Sequence, residues 1–134
     1  MQNPVIIQFD EDDSYFMVVE MICFNMDLVM GPKASSIDES RKLVRDIESK
    51  KLMPDIAIIA SYLGYDFTDG EKLAVKLKEI APNIKIIAYS TDPETTWGDY
   101  LAVKSGLDQS KSLVSILSEL TGKTFKTSNI KDTE

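Results

Sequence analysis

Apolar positions fall into two alternating patterns along the chain. One is the short apolar run, unbroken in IAIIA at 56–60, with further runs in VIIQF at 5–9, LVM at 28–30, IKIIAY at 84–89 and YLAV at 100–103. Runs of this length, rich in β-branched residues and apolar at successive positions, mark strands buried on both faces of a parallel sheet. The other pattern is longer and repeats every three to four positions. YFMVVEMICFN at 15–25 is apolar almost around its circumference, with only Glu20 charged, and its length decides for a helix packed against a sheet. SIDESRKLVRDIESKK places Ile37, Leu43, Val44 and Ile47 on one face and its charges on the other. Residues 71–80 and 110–120 repeat the helical spacing, the former with Leu73, Ala74, Leu77 and Ile80 inward.

Punctuation between the runs is consistent with this division. Ser14 is placed to cap the first helix, and Ser36 with Glu39 has capping-box spacing for the second. Gly31 and Pro32 are expected to close the second strand, and Pro82 to stop the third helix. The connection TDPETTWGD at 91–99 contains Pro93 and Gly98 and is predicted to hold at most a turn or two of helix. Asp108 or Ser110 caps the last helix, after which the polar tail, 122–134, is expected to fray. Five strands alternating with helices, without repeat or linker, predict a doubly wound five-stranded parallel sheet in one domain, 1–121, with a shortened fourth helix.

Composition narrows the function. A chain of 134 residues is one domain by size. Without a signal-like segment or an apolar run of roughly 20 residues, it is expected to be cytoplasmic and to leave membranes alone. Its net charge of −7 argues against nucleic acid, whose phosphates it would repel. It has no histidine, which removes the commonest general base and zinc ligand. Cys23, unable to form an internal disulfide, sits in an apolar helical pattern and reads as a buried structural thiol.

Ligands of open α/β sheets sit outside the carboxyl ends of the strands. There the chain places Asp10 and Glu11 after the first strand, Ser90 after the fourth and Lys104 after the fifth, around the loop 60–70 that follows the third. Adjacent carboxylates suit a hard divalent cation such as magnesium, and a hydroxyl with an ammonium suits an anionic group such as a phosphoryl.

The acidic cluster in VIIQFDEDD, PDIAIIA before a loop ending Asp69-Gly70, IIAYST and the GDYLAVK run together resemble a receiver domain of the response-regulator family, within the CheY-like, flavodoxin-like superfamily. The resemblance spans residues 4 to about 121. It implies magnesium-holding roles for Asp10 and Glu11, a phosphoryl-sensing hydroxyl at Ser90 and its cationic partner at Lys104. The phosphoacceptor aspartate is missing: its place, six residues beyond Pro54, holds Ala60. Ser61 is expected to face away, because one step along a strand turns a side chain over. The loop 60–70 is about two residues longer than the family pattern, and the proline usual after the lysine is Ser105.

These residues imply a phosphorylation-independent pseudo-receiver: a protein-interaction module in signalling, not an enzyme, with no cofactor and at most a weak or vestigial magnesium site. Lys104 is expected to pair with Asp10. The alternative is a haloacid-dehalogenase-like phosphatase or phosphotransferase with Asp10 as nucleophile. It would need an acidic pair beyond the lysine and a substrate-capping element, and the sequence offers neither. Tyr62, Tyr65, Phe67 and Trp97, from two connections at one sheet edge, are candidate partner anchors. Asp66, Asp69, Asp92 and Glu94 around them favour a basic protein partner, and a homodimer is left open. The competing reading has the same aromatics covering the sheet where the fourth helix is short.

Overall fold

The computed structural model describes residues 1, 3–104 and 109–126, with residues 109–112 described as backbone. The short apolar runs form β1 (Ile6–Phe9), β2 (Met30–Ala34), β3 (Ile56–Ile59), β4 (Lys85–Ser90) and β5 (Tyr100–Val103). The periodic segments form α1 (Asp13–Asn25), α2 (Ile37–Glu48), α3 (Asp69–Ile80) and α4 (Gln109–Thr121). All strand pairs are parallel, in the order β2-β1-β3-β4-β5. This is the flavodoxin-like doubly wound arrangement, with its switch point between β1 and β3.

β3 is central, and each of its residues is buried because β1 and β4 flank it and helices cover both faces. Strand alternation divides the core. Ile6, Ile56, Ile58, Ile87 and Tyr89 meet Val19, Ile22 and Cys23 of α1 and Leu113 and Leu117 of α4. Ile7, Phe9, Ala57, Ile59 and Ile86 meet Leu43 and Ile47 of α2 and Ala74 and Leu77 of α3. Each fully buried isoleucine contributes about 1.5 to 3 kcal/mol. Burial, with the Glu20 charge adding to it, pushes the Cys23 thiol up to about 12, so it stays protonated as a structural group.

Several elements depart from the sequence expectation. β2 starts at Met30 and runs through Gly31 and Pro32, which were expected to end it. An edge strand tolerates proline, and the pairing steps from Ile6–Met30 to Gln8–Lys33 across an irregularity there. A side chain at Gly31 would meet the Ile6 carbonyl oxygen at 2.8 Å. The first helix is capped by Asp12, not Ser14, because the Asp12 carboxylate accepts the Ser14 N–H at 3.0 Å. Ser36 accepts the Glu39 N–H at 3.1 Å, but Glu39 reaches back to the Ser35 N–H, one residue beyond a standard capping box. Ser110 lies inside α4, and Asp108 lies outside the described residues.

The connection between β4 and β5 is not a shortened helix; residues 91–99 hold only turns and bends. At its end the Asp99 carboxylate accepts the Ile86 N–H at 2.8 Å, where β5 has not yet begun, and pairs with Lys78 at 2.8 Å. The first part of the tail is docked rather than frayed: the Lys126 N–H bonds the Asn25 carbonyl, Lys126 pairs with Asp27, and Phe125 packs on the α1–α4 core. Residues 127–134 lie outside the described residues.

Candidate functional site

The loop 60–70 is built on one side chain. A single oxygen of the Asp69 carboxylate accepts the N–H groups of Leu63, Tyr65 and Asp66 at 2.9, 2.9 and 3.0 Å. Gly64 takes a φ of +120° in this turn, open to glycine but not to side chains. Gly70 then brings α3 against the Ala60 carbonyl oxygen so closely that any Cβ there would collide with it. Asp69 is therefore buried and structural, not part of an acidic rim.

Above β1 and β3 lies a cavity of roughly 410 Å³, lined by Asp10, Ala60, Ser61, Tyr89, Ser90 and Lys104 and walled by Glu11, Tyr15, Tyr62 and Phe67. Lys104 Nζ meets Asp10 Oδ2 at 2.5 Å, with side-chain exposures of 8% and 3%. Asp10 Oδ1 accepts the Asp12 N–H at 3.0 Å, so both oxygens are engaged. Burial raises the Asp10 pKa above the usual carboxylate value, and the bond to Lys104 and its charge oppose this only in part. Lys104 Nζ also lies 4.0 Å from the Tyr15 ring centroid and 5.1 Å from that of Tyr89. The site thus holds its ammonium between a carboxylate and two aromatic faces.

Ala60 follows the last residue of β3 and lines this cavity together with Asp10 and Ser90. Ser61 was expected on the opposite face. It lines the same cavity, because regular alternation stops at Ile59, and its hydroxyl lies 3.0 Å from that of Ser90. Ser90 Oγ also accepts the Asp92 N–H at 3.1 Å and sits 3.2 Å from the Thr95 hydroxyl. Glu11 is exposed at the mouth. Sequence reasoning missed Tyr89, whose hydroxyl is buried without a hydrogen-bond partner among the described residues. Burial, then Tyr15 and Asp10, push that phenol up to about 12. Its position next to Ser90, at the end of a strand, was the available signal.

The four loop aromatics do not form one surface. Tyr62 and Phe67 pair at 5.4 Å between centroids beside the cavity. Tyr65, 70% exposed, points to the α2–α3 side. Trp97 is half-buried against the α2–α3 core, its ring over Gly70, where it covers the sheet in place of a helix.

Neither a family model nor a curated protein sequence matches the chain. Solved structures do. RcsB from Salmonella enterica serovar Typhimurium, bound to a promoter with a phosphomimetic, superposes with a TM-score of 0.66 at 16% identity over 85% of this chain and 98% of that one. The response regulator domain of Thermotoga maritima CheB gives 0.66 at 13% over 89% and 94%. The signal receiver domain of an HD domain-containing protein from Pseudomonas fluorescens gives 0.68 at 14% over 89% and 95%.

The fold is that of a receiver domain. A receiver fold implies magnesium between the acids after β1 and a carboxylate after β3, and the residues here do not fit that ion. Ala60 supplies no ligand, Lys104 and the Asp12 N–H occupy Asp10, and no group of three acidic, cysteine or histidine side chains among the described residues could hold a metal. The receiver fold is therefore retained around a site closed on itself. No helix among the described residues is long and apolar enough to cross a membrane.

Proposed function

We propose that this chain is a phosphorylation-independent receiver-like module that acts by binding a protein partner, without catalysis or a bound cofactor. The observation that carries the reading is Ala60 in the acceptor's place, beside an Asp10–Lys104 pair that satisfies both of its members. A methyl group is no nucleophile, and among the described residues the neighbouring Ser61 hydroxyl has no general base within hydrogen-bond reach, only Ser90. The phosphatase reading is disfavoured by the same geometry, since an Asp10 carboxylate clamped by Lys104 and the Asp12 N–H is poorly placed to attack phosphorus. Partner binding is supported by the exposed Tyr65 and Phe67, rigid aromatic area on a loop that Asp69 holds in shape. Asp92 and Glu94, exposed beside Phe67, favour a basic partner and disfavour nucleic acid.

Acetyl phosphate with magnesium tests the central claim by intact mass. The protein is expected to gain no phosphoryl group and to leave a generic aryl phosphate unhydrolysed. A stable adduct mapped to Asp10 or Ser61, or turnover lost in Asp10→Asn, would overturn it.

A further inference from the structure

A helix apolar almost all round belongs in a largely buried setting, and α1, whose only charges are Asp13 and Glu20, is such a helix. The fold covers only part of it. Phe16, Val19, Ile22 and Cys23 face the core, whereas Met17, Met21 and Phe24 are 73%, 47% and 73% exposed. Their spacing of four and three residues makes one apolar ridge about 10 Å long. α1 contains no lysine or arginine. Asp13 and Glu20 share the ridge face by helical spacing, and Asp27 follows the helix. Lys33 pairs with Glu20 at 3.5 Å and Lys126 pairs with Asp27, while Asp13 has no ion pair among the described residues.

On the opposite face of the sheet, α2 and α3 lie side by side and leave an open groove of roughly 740 Å³. Its floor is apolar: Ile37, Val44, Leu63 and Leu73. Arg41 and Arg45 flank it on α2, and Lys72 and Lys76 on α3. Three acids line it as well, fewer than the four bases. Asp69 is held by three backbone amides, Asp66 bonds Thr68, and Glu48 lies 3.7 Å from Lys76. Arg41 is only 3.9 Å from the exposed Asp38, and Arg45 has no ion pair among the described residues. The Ser40 hydroxyl, buried in the groove lining, lacks a partner among the described residues.

We propose that this groove takes α1 of a second copy of the chain. An apolar ridge flanked by Asp13, Glu20 and Asp27 meets an apolar groove in which four bases outnumber three acids, so two uncovered apolar features are buried by one contact. Pairing α1 with α1 would instead press two acid-flanked ridges together. Ridge and groove lie on opposite sheet faces, so the contact is heterologous. Each added copy leaves one ridge and one groove free, and association propagates to a ring or an open chain. Tyr65 lines this same groove, so a second copy and a protein partner held there compete; the ridge variant below keeps Tyr65 and the groove intact and separates the two.

Sedimentation velocity of the full chain over a rising concentration series tests it. The average mass is expected to climb past the dimer at low salt and to fall when salt screens the charged flanks. Arg45→Glu, in the groove, and the double variant Met17→Asp with Phe24→Asp, on the ridge, are each expected to be monomeric. Mixed together, they retain one intact ridge and one intact groove and should form a one-to-one dimer that grows no further. All substituted side chains are exposed, and circular dichroism checks that each variant is folded. A wild-type chain that stays monomeric at millimolar concentration overturns the proposal. So does continued association of Arg45→Glu, or a mixture that does not pair.

Discussion

The Asp10–Lys104 pair makes Lys104 the most exacting single side chain of the site. Both members are nearly fully buried, and removing one leaves the other charged without a partner. Lys104→Met is therefore expected to cost about 3 to 5 kcal/mol, measured as a shift in the urea midpoint at neutral pH. The pH dependence of that loss has a definite sign. Asp10 has a native pKa above its unfolded value, so falling pH protonates it in the folded state first and favours the fold. In Lys104→Met the burial that raises it remains while the counter-charge is gone. The deficit relative to wild type should shrink as pH falls through the raised Asp10 pKa; a deficit independent of pH would mean that Asp10 is solvated. The exposed Asp12 and Glu39 carboxylates, at the starts of α1 and α2, behave oppositely. Hydrogen bonds from Ser14 and Ser35 hold them below the usual range, so their stabilisation is present above the unfolded value and lost as pH falls through the lowered one. At this scale the sequence order of Asp10, Ser90 and Lys104 was enough to bring them together, because strand ends converge wherever the sheet goes. The positions of Ser61 and Asp69 were not legible, since both depend on where β3 stops alternating and on how the following loop folds back.

Among the elements, the helix-free crossover distinguishes cover from anchor. Trp97 packs half-buried over Gly70 and the α2–α3 core, whereas Tyr65 stands out from a loop that does not need it. Trp97→Ala is expected to cost about 2 kcal/mol or more, and Tyr65→Ala to stay within about 0.5 kcal/mol, in thermal or urea unfolding. If partner capture from cell extract is then lost in Tyr65→Ala, the loop is an anchor; equal destabilisation by both substitutions would make it cover. Strands and helices with long periodic runs were readable because their burial pattern repeats. β2 was misplaced for a local reason: Gly31-Pro32 normally ends a strand, and only an edge position with one irregular pairing step tolerates it. The absence of helix at 91–99 follows from length. Nine residues must cross from β4 to β5, and the turns, with Asp99 bonding the Ile86 N–H, leave no room for a repeating turn.

For the molecule as a whole, a ligand that binds only the folded state raises its stability in proportion to occupancy. Because the site lacks a carboxylate at Ala60 and closes Asp10 on Lys104, millimolar magnesium is expected to leave the melting temperature unchanged at constant ionic strength. A rise that saturates, and disappears in Asp10→Asn, would contradict this. The β2 edge has a consequence of another kind. An exposed parallel strand offers unpaired amides on which a foreign strand can template, the usual opening to amyloid-like stacking. Pro32 removes one of those amides, the pairing irregularity twists the strand beside it, and exposed Lys33 sets a charge on the rim. That border of the sheet is guarded against strand addition, so copies of this protein that meet there do not fuse strand to strand into fibres.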